Sequence, residues 1–305
     1  MCFILLYFIF APESIGLYQL DLYKNMHNMN FVRQVCKQKK LFYIEYTIMN
    51  KGDYLYDLSL SEVLQIMFEC INNQCFSNIK NLKNNSNIPV IVIAFNNISY
   101  LKNMLKQLQE KKVKDENIWI WDNDSTSLPL LKFYEQVSTK YNLIKNNENY
   151  GPRFFTNPKV LSLLPDFFAV SDPDLYFNKK MPDNFLEYLK KITIDLSVFK
   201  AGLALDISHD PNFNDELRLN NHTVREWEQQ FWSFPLSQYN NPKIYGAPVD
   251  TTFAVYNKKF IDKGFLNGVR VADDFTCKHL PWYKNNIISE EEKKLFNTGW
   301  THWNQ

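Results

Sequence analysis

Pro89 to Phe95 is apolar at every position and rich in β-branched residues. A strand with one wet face alternates polar and apolar residues. A run with no polar member is covered on both faces, as the strands of a parallel sheet are. Parallel neighbours need a crossover, and the sequence supplies one. Asn96 and Asn97 break the run, and Leu101, Met104, Leu105 and Leu108 then mark one helical face over Tyr100 to Glu110. Asn117 to Trp121 reads as a second strand. Leu130, Leu131, Tyr134 and Val137 mark a second helix, and Asn142 to Lys145 is a third short strand. This order predicts a Rossmann-like α/β sheet, mainly parallel and flanked by helices. Further on, the pattern predicts a helix near Lys159 to Leu164 and a strand at Phe167 to Ser171. A helix at Asn184 to Lys191, a long strand at Val198 to Ile207, a helix at Thr223 to Phe231 and a strand at Asp250 to Tyr256 complete it. The charged tail from Lys284 is expected on the surface.

Residues 1–87 read as an accessory segment of unknown role, ahead of a domain at 88–305. Met1 to Ala11 is almost wholly apolar but too short for a membrane span, which needs roughly 20 residues. No Lys or Arg precedes it, so it lacks the basic start of a signal peptide. A buried strand is expected, with weak membrane association through the N-terminus as the alternative. Leu60, Val63, Leu64 and Met67 give Asp57 to Cys70 a helical period, and Lys80 to Asn87 is an Asn-rich linker. Five cysteines, an odd number at no zinc-site spacing, point to reduced thiols and a cytoplasmic location. Asn97-Ile98-Ser99 and Asn123-Asp124-Ser125 fit the glycosylation sequon inside loops assigned below to a ligand pocket, which also favours the cytoplasm. A net charge of +1 argues against a nucleic-acid partner. The 16% aromatic content is expected to fill a core, with some rings left for stacking on a sugar or base.

Ligands of such sheets bind beyond the carboxyl ends of the strands, so the loops after Phe95, Trp121 and Val170 carry the candidates. Asp172 and Asp174 flank Pro173. In an extended segment residues two apart face the same way, so both carboxylates can meet one hard divalent cation; the alternative is an Asp-rich turn. Asp122 follows the second strand and could accept bonds from a nucleobase or ribose, or else make an Asx turn. Asn149 to Arg153 is a turn in which Gly151 allows close backbone approach and Arg153 could pair with a phosphate. Asp250 lies beside a Gly/Pro loop and could be a general base. His279, in Lys278-His279-Leu280-Pro281-Trp282-Tyr283, is either a metal ligand or a structural imidazole.

Taken together, these residues resemble the GT-A glycosyltransferases, particularly bacterial and viral enzymes similar to the family-two group. The likeness runs from about Pro89 to Tyr283. It rests on Phe95-Asn96-Asn97, Trp121-Asp122-Asn123-Asp124-Ser125-Thr126, Asn149-Tyr150-Gly151, Ser171-Asp172-Pro173-Asp174, Val249-Asp250-Thr251-Thr252-Phe253 and His279-Leu280-Pro281-Trp282-Tyr283. The resemblance implies a GT-A fold and a metal-dependent transfer of a sugar from a nucleoside-diphosphate sugar, a UDP-sugar first, to a hydroxyl of a glycan acceptor. It implies that Phe95, Asn97, Asp122, Asn149, Gly151, Arg153 and Asp172 line the donor site. It further implies that Asp172, Asp174 and His279 bind Mn²⁺ or Mg²⁺, and that Asp250 is the base, with inversion at the anomeric carbon. Val249 stands where the family commonly has an acid, which leaves Asp273 or Asp274 as alternative bases. The acceptor is expected between Asp206 and Trp232 and near Trp282. Two rival functions share the fold. A nucleotidyltransferase would want a Gly-rich basic loop after the first strand, and Phe95 to Tyr100 has neither Gly nor Lys. A non-catalytic sugar-binding or scaffold protein would not need the acids and the histidine at the strand ends.

Overall fold

The computed structural model describes residues 87–219 and 221–296. The expected strand at Met1 to Ala11, the helix at Asp57 to Cys70 and nearly all of the linker lie outside them. The crossover pattern is present: β1 (Val90–Ala94), α1 (Ile98–Glu110), β2 (Ile118–Asp122), α2 (Leu128–Val137), β3 (Asn142–Lys145), α3 (Pro158–Leu163) and β4 (Phe167–Ser171). After β4 come β5 (Leu175–Phe177), α4 (Phe185–Asp195), β6 (Lys200–Leu203), β7 (Arg218–Leu219), β8 (His222–Thr223) and α5 (Val224–Gln229). Then follow β9 (Pro235–Asn240), β10 (Lys243–Tyr245), β11 (Ala254–Asn257), β12 (Gly268–Val271), β13 (Cys277–His279) and α6 (Glu290–Phe296).

The main sheet runs β3-β2-β1-β4-β11-β6-β12-β10-β9. β1 to β4 are parallel; β11 enters antiparallel between β4 and β6, and β12 is parallel to β6. The expected mixed, mainly parallel α/β sheet is therefore found. Its two faces bury different side chains, because successive side chains in a strand point opposite ways. Val92, Ile120, Ala169, Ala201 and Val255 belong to one core with Leu101, Met104 and Leu108 of α1 and Leu189 of α4. On the other face Trp121 stacks on Phe154 at 4.0 Å, and Phe155 meets Phe168 and Tyr256 edge-on. Aromatic side chains also enter the first core, among them Phe177, Phe185 and Phe253.

Two strands are shorter than the pattern suggests. The long apolar run at Val198 to Ile207 pairs in the sheet only over Lys200–Leu203. Beyond it Ala204 bonds to Val271 and Cys277, and Leu205 forms a lone bridge to Cys277. Asp250 to Phe253 is not strand; the residues before β11 cross over the sheet instead. Gly202 makes room for them, since a methyl there would stand 2.6 Å from Val249 Cγ1. The charged tail is not wholly at the surface. Glu292 of α6 is 6% exposed and accepts bonds from Ser99 N and Oγ at 2.8 and 2.6 Å, in the first turn of α1. Among the described residues no helix is long and apolar enough to cross a membrane.

Buried Gln107 ties α1 to β5. Its Nε2 donates to Leu175 O at 2.9 Å and its Oε1 accepts from Phe177 N at 2.6 Å. Gln107→Leu keeps the size but leaves two buried backbone groups without these partners. The expected loss is about 1–3 kcal/mol for each group left unsatisfied, read from urea denaturation.

Candidate active site

Asp172 and Asp174 lie between β4 and β5, where the chain leaves the central strand. β5 pairs with β13 so that Leu175 faces His279, and Leu280 N donates to Asp174 O at 2.8 Å. This small ribbon brings His279 Nε2 to 3.3 Å from Asp174 Oδ2. Trp282, 2% exposed, packs edge-on against the imidazole at 4.8 Å. It cannot stack on an acceptor sugar as expected, because it is part of the wall behind His279.

The electrostatics fit a cation. Burial pushes the Asp172 carboxyl up to about 7, and the neighbouring charge of Asp174 adds to the rise, against the Thr251 hydrogen bond and His279. Burial disfavours a charged His279, but Asp174 and Asp172 outweigh it and raise the imidazole above its usual range. Asp174 Oδ1 is buried with no hydrogen-bond partner. A carboxylate oxygen in that state suits a hard cation. The three-ligand set expected from the sequence is nevertheless not assembled. Among the described residues no three His, Cys, Asp or Glu side chains form a metal cluster. Asp172 Oδ2 accepts from Thr251 Oγ1 at 2.7 Å. Asp174 and His279 are in direct contact. A cation there would complete its shell with ligand or water oxygens.

Asp250 rides on a strap, residues 246–252, that crosses one face of the sheet. Its carboxylate is exposed and accepts a bond from Arg153 Nη2 at 2.9 Å. The strap is fixed residue by residue. Arg270 Nε donates to Pro248 O at 2.7 Å, Val249 fills the notch at Gly202, Lys200 Nζ donates to Asp250 O at 2.9 Å, and Thr251 holds Asp172. Arg270 is itself buried and paired with buried Glu228, whose carboxyl burial pushes up to about 7 against the pull of Arg270. Asp273 and Asp274 are exposed and lie on the turn after β12; Asp273 Oδ2 accepts from Lys243 N at 2.7 Å.

The loops beyond β1 to β3 form a second cluster. Asn96, at φ 53°, accepts from Thr126 N and Ser127 N at 2.7 and 2.9 Å, and its own N–H donates to Ser125 Oγ. Asn97 caps α1 through Tyr100 N, and its Nδ2 is buried without a partner. Phe95 is half-buried. Asn149 accepts from Gly151 N at 2.8 Å, and Gly151, at φ 69°, accepts from Asn123 Nδ2 at 3.2 Å. Asp122 is at the strand end as expected, but its carboxylate is 2% exposed and faces its own loop. It accepts from Tyr134 OH at 2.7 Å and Ser125 N at 3.3 Å. Burial raises its pKa; these bonds and Lys145 oppose the rise.

Sequence reasoning missed Lys200, Arg270 and the anchoring role of Thr251. Lys200 and Arg270 do leave a signal, since each is a lone cation inside an apolar strand run.

No protein-family model matches this sequence, and no curated protein matches it either. Partial likenesses exist among solved structures. S. aureus TarS residues 1–349 align with 58% of this chain and 48% of that one, at 14% identity and a TM-score of 0.35. The same protein in complex with UDP-GlcNAc aligns at 16% identity over 58% and 46% of the two chains, also at 0.35. The mannosyltransferase PcManGT from Pyrobaculum calidifontis, in complex with GDP-Man and Mn²⁺, aligns at 12% identity over 64% and 54%, with a TM-score of 0.37. This chain thus matches about half the length of each. Likeness so partial defines neither the donor nor the metal of this chain.

Tyr134→Phe removes one of the donors to buried Asp122. The expected stability loss is about 1–3 kcal/mol, read from urea denaturation.

Proposed function

We propose that residues 88–305 form a metal-dependent glycosyltransferase that moves a sugar from a nucleoside-diphosphate sugar to a hydroxyl of a glycan acceptor, with inversion. The observation that carries this reading is the buried oxygen of Asp174, unpartnered beside His279 and Asp172 at the sheet's ligand edge, within reach of a strap bearing an exposed carboxylate. UDP-sugars are the first donors to test.

Asp174 and His279 would hold the cation, Mn²⁺ or Mg²⁺, with Asp172 beside them. When bound, such a cation supplies charge compensation for a diphosphate leaving group. One imidazole among oxygen ligands favours Mn²⁺ over Mg²⁺. The chain's own groups do the rest. The loops around Asn97, Asn149 and Gly151 cradle the nucleoside. Asp122 shapes that cradle by pinning residues 122–127 through Ser125 and Tyr134. Arg153 offers its guanidinium to a phosphate. Asp250, exposed beside it, takes the proton of the acceptor hydroxyl as the oxygen attacks the anomeric carbon from the face opposite the leaving group. The transition state is oxocarbenium-like, and a carboxylate helps by accepting the proton as the bond forms. Acceptor residues stack at the strand ends near Trp232 and Phe234, the latter 72% exposed.

Release of UDP from UDP-sugars in the presence of Mn²⁺, with excess EDTA as control, tests the reading. Metal-dependent release that rises with a glycan acceptor supports it. Equal release in EDTA, or none with a full set of nucleotide sugars, contradicts it. Asp250→Asn is expected to lower turnover by about 10²–10⁴-fold. UDP affinity should stay unchanged, because the base meets only the acceptor proton. Normal turnover in this variant, with loss in Asp273→Asn or Asp274→Asn, would move the base to the turn after β12.

A further inference from the structure

Lys200 opens β6 in the interior of the domain, and its residue exposure is 0%. Its ammonium lies 3.6 Å from the centroid of the Phe265 ring and 5.3 Å from that of Tyr256. Its hydrogen-bond acceptor is a neutral carbonyl, Asp250 O, at 2.9 Å. Burying a cation costs several kcal/mol, and packing alone would be served as well by an apolar chain of the same length. The cation–π contacts offset part of that cost. What the charge accomplishes is visible at its tip. Lys200 and Arg270 stand on neighbouring strands and hold two carbonyls, Asp250 O and Pro248 O, two residues apart on the strap. Between them Val249 drops into the notch above Gly202. Beyond them Thr251 reaches Asp172. The segment that carries the proposed base is thus latched from below.

We propose that Lys200 is a positioning residue: its buried ammonium fixes the backbone of residues 248–251 and thereby sets where the Asp250 carboxylate stands over the site. The assignment of Asp250 as base rests on the function proposed above; the latch itself does not. Lys200 touches no reacting atom, so its loss should leave the donor's nucleotide bound and displace only the base. Burial drives the Lys200 pKa down to about 7, with Arg153 and Arg270 adding to the fall and Asp250 opposing it. That fall disfavours the ammonium, which the Asp250 carbonyl and the two rings favour, and the neutral amine still donates to the same carbonyl.

Two readouts separate the latch from the function. In the first, Val249→Cys places a thiol at a fully buried strap position, and its alkylation by iodoacetamide is followed at residue 249 by peptide mass spectrometry. Adding Lys200→Met is expected to speed this alkylation at least about tenfold, the change that about 1.4 kcal/mol of lost local stability produces. Alkylation of core Cys277 should stay as slow as before. An unchanged rate at residue 249, or an equal rise at Cys277, overturns the latch. In the second, Lys200→Met should lower kcat for sugar transfer by about 10–100-fold, as small misplacements of a reacting group do. Its affinity for UDP with Mn²⁺ should not change. A wild-type kcat, or a matching loss of UDP affinity, overturns the positioning role. Lys200→Gln, whose donor sits one bond nearer the backbone, replaces the Met variant if that one does not fold, with the same outcomes expected. A wild-type protein that transfers no sugar contradicts the proposed function, while the alkylation rates still decide the latch.

Discussion

Two buried carboxylates two residues apart repel each other, and the surroundings of Asp172 and Asp174 are built against that cost. Thr251 donates to Asp172, and His279 stands against Asp174. Neither fully offsets burial and repulsion together, since burial first and the charge of Asp174 second still drive the Asp172 carboxyl up to about 7. One oxygen of Asp174 stays buried with no partner. Such groups are held by folds that gain from them elsewhere. The placement of β5 and β13, the packing of Trp282 on His279 and the anchoring of β5 by Gln107 all serve to keep this pair where it is.

The strap is the second half of the same arrangement. It leaves the sheet at β10, next to the edge strand β9, crosses one face and returns as β11, the antiparallel strand beside β4. Because β11 pairs with β4, the strap that leads into it reaches the acids of the β4 end, through Thr251 on Asp172. Buried Lys200 and Arg270 fix the strap's backbone, and the Arg153–Asp250 pair orders its exposed side chain. That last pair is exposed on both sides, so it orients more than it stabilises.

The first half of the sheet was legible because periodicity reports burial. Val90 to Ala94 and Asn117 to Trp121 are buried on both faces, and the α1 stripe at Leu101, Met104, Leu105 and Leu108 is fully in the core. The positions of Asp122, Asp172 and Asp174 at or just beyond the carboxyl ends of β2 and β4 followed from the strand ends alone. What local pattern cannot carry is where a segment goes once it leaves the sheet. DTTFAVY looks like a strand from its first residue, yet the notch at Gly202, far away in sequence, takes Val249 and keeps Asp250 to Phe253 out of the ladder. The orientation of Asp122 was hidden in the same way, because the hydroxyl that claims its carboxylate comes from Tyr134 of α2. Glu292 was unreadable for a related reason. Its charge marks a surface tail until Ser99 supplies buried donors to its carboxylate.

The central claim is that the Asp174–His279 pair is a cation site completed by a nucleotide. With only two closely apposed protein ligands, Mn²⁺ should bind weakly to the protein alone and more tightly once diphosphate oxygens are present. The direct measurement is a Mn²⁺ titration followed by electron paramagnetic resonance, with and without UDP, for the wild type and Asp174→Asn. The account predicts that UDP strengthens Mn²⁺ binding to the wild type and that the substitution removes this gain. Binding that ignores UDP, or a substituted protein that titrates like the wild type, would contradict it.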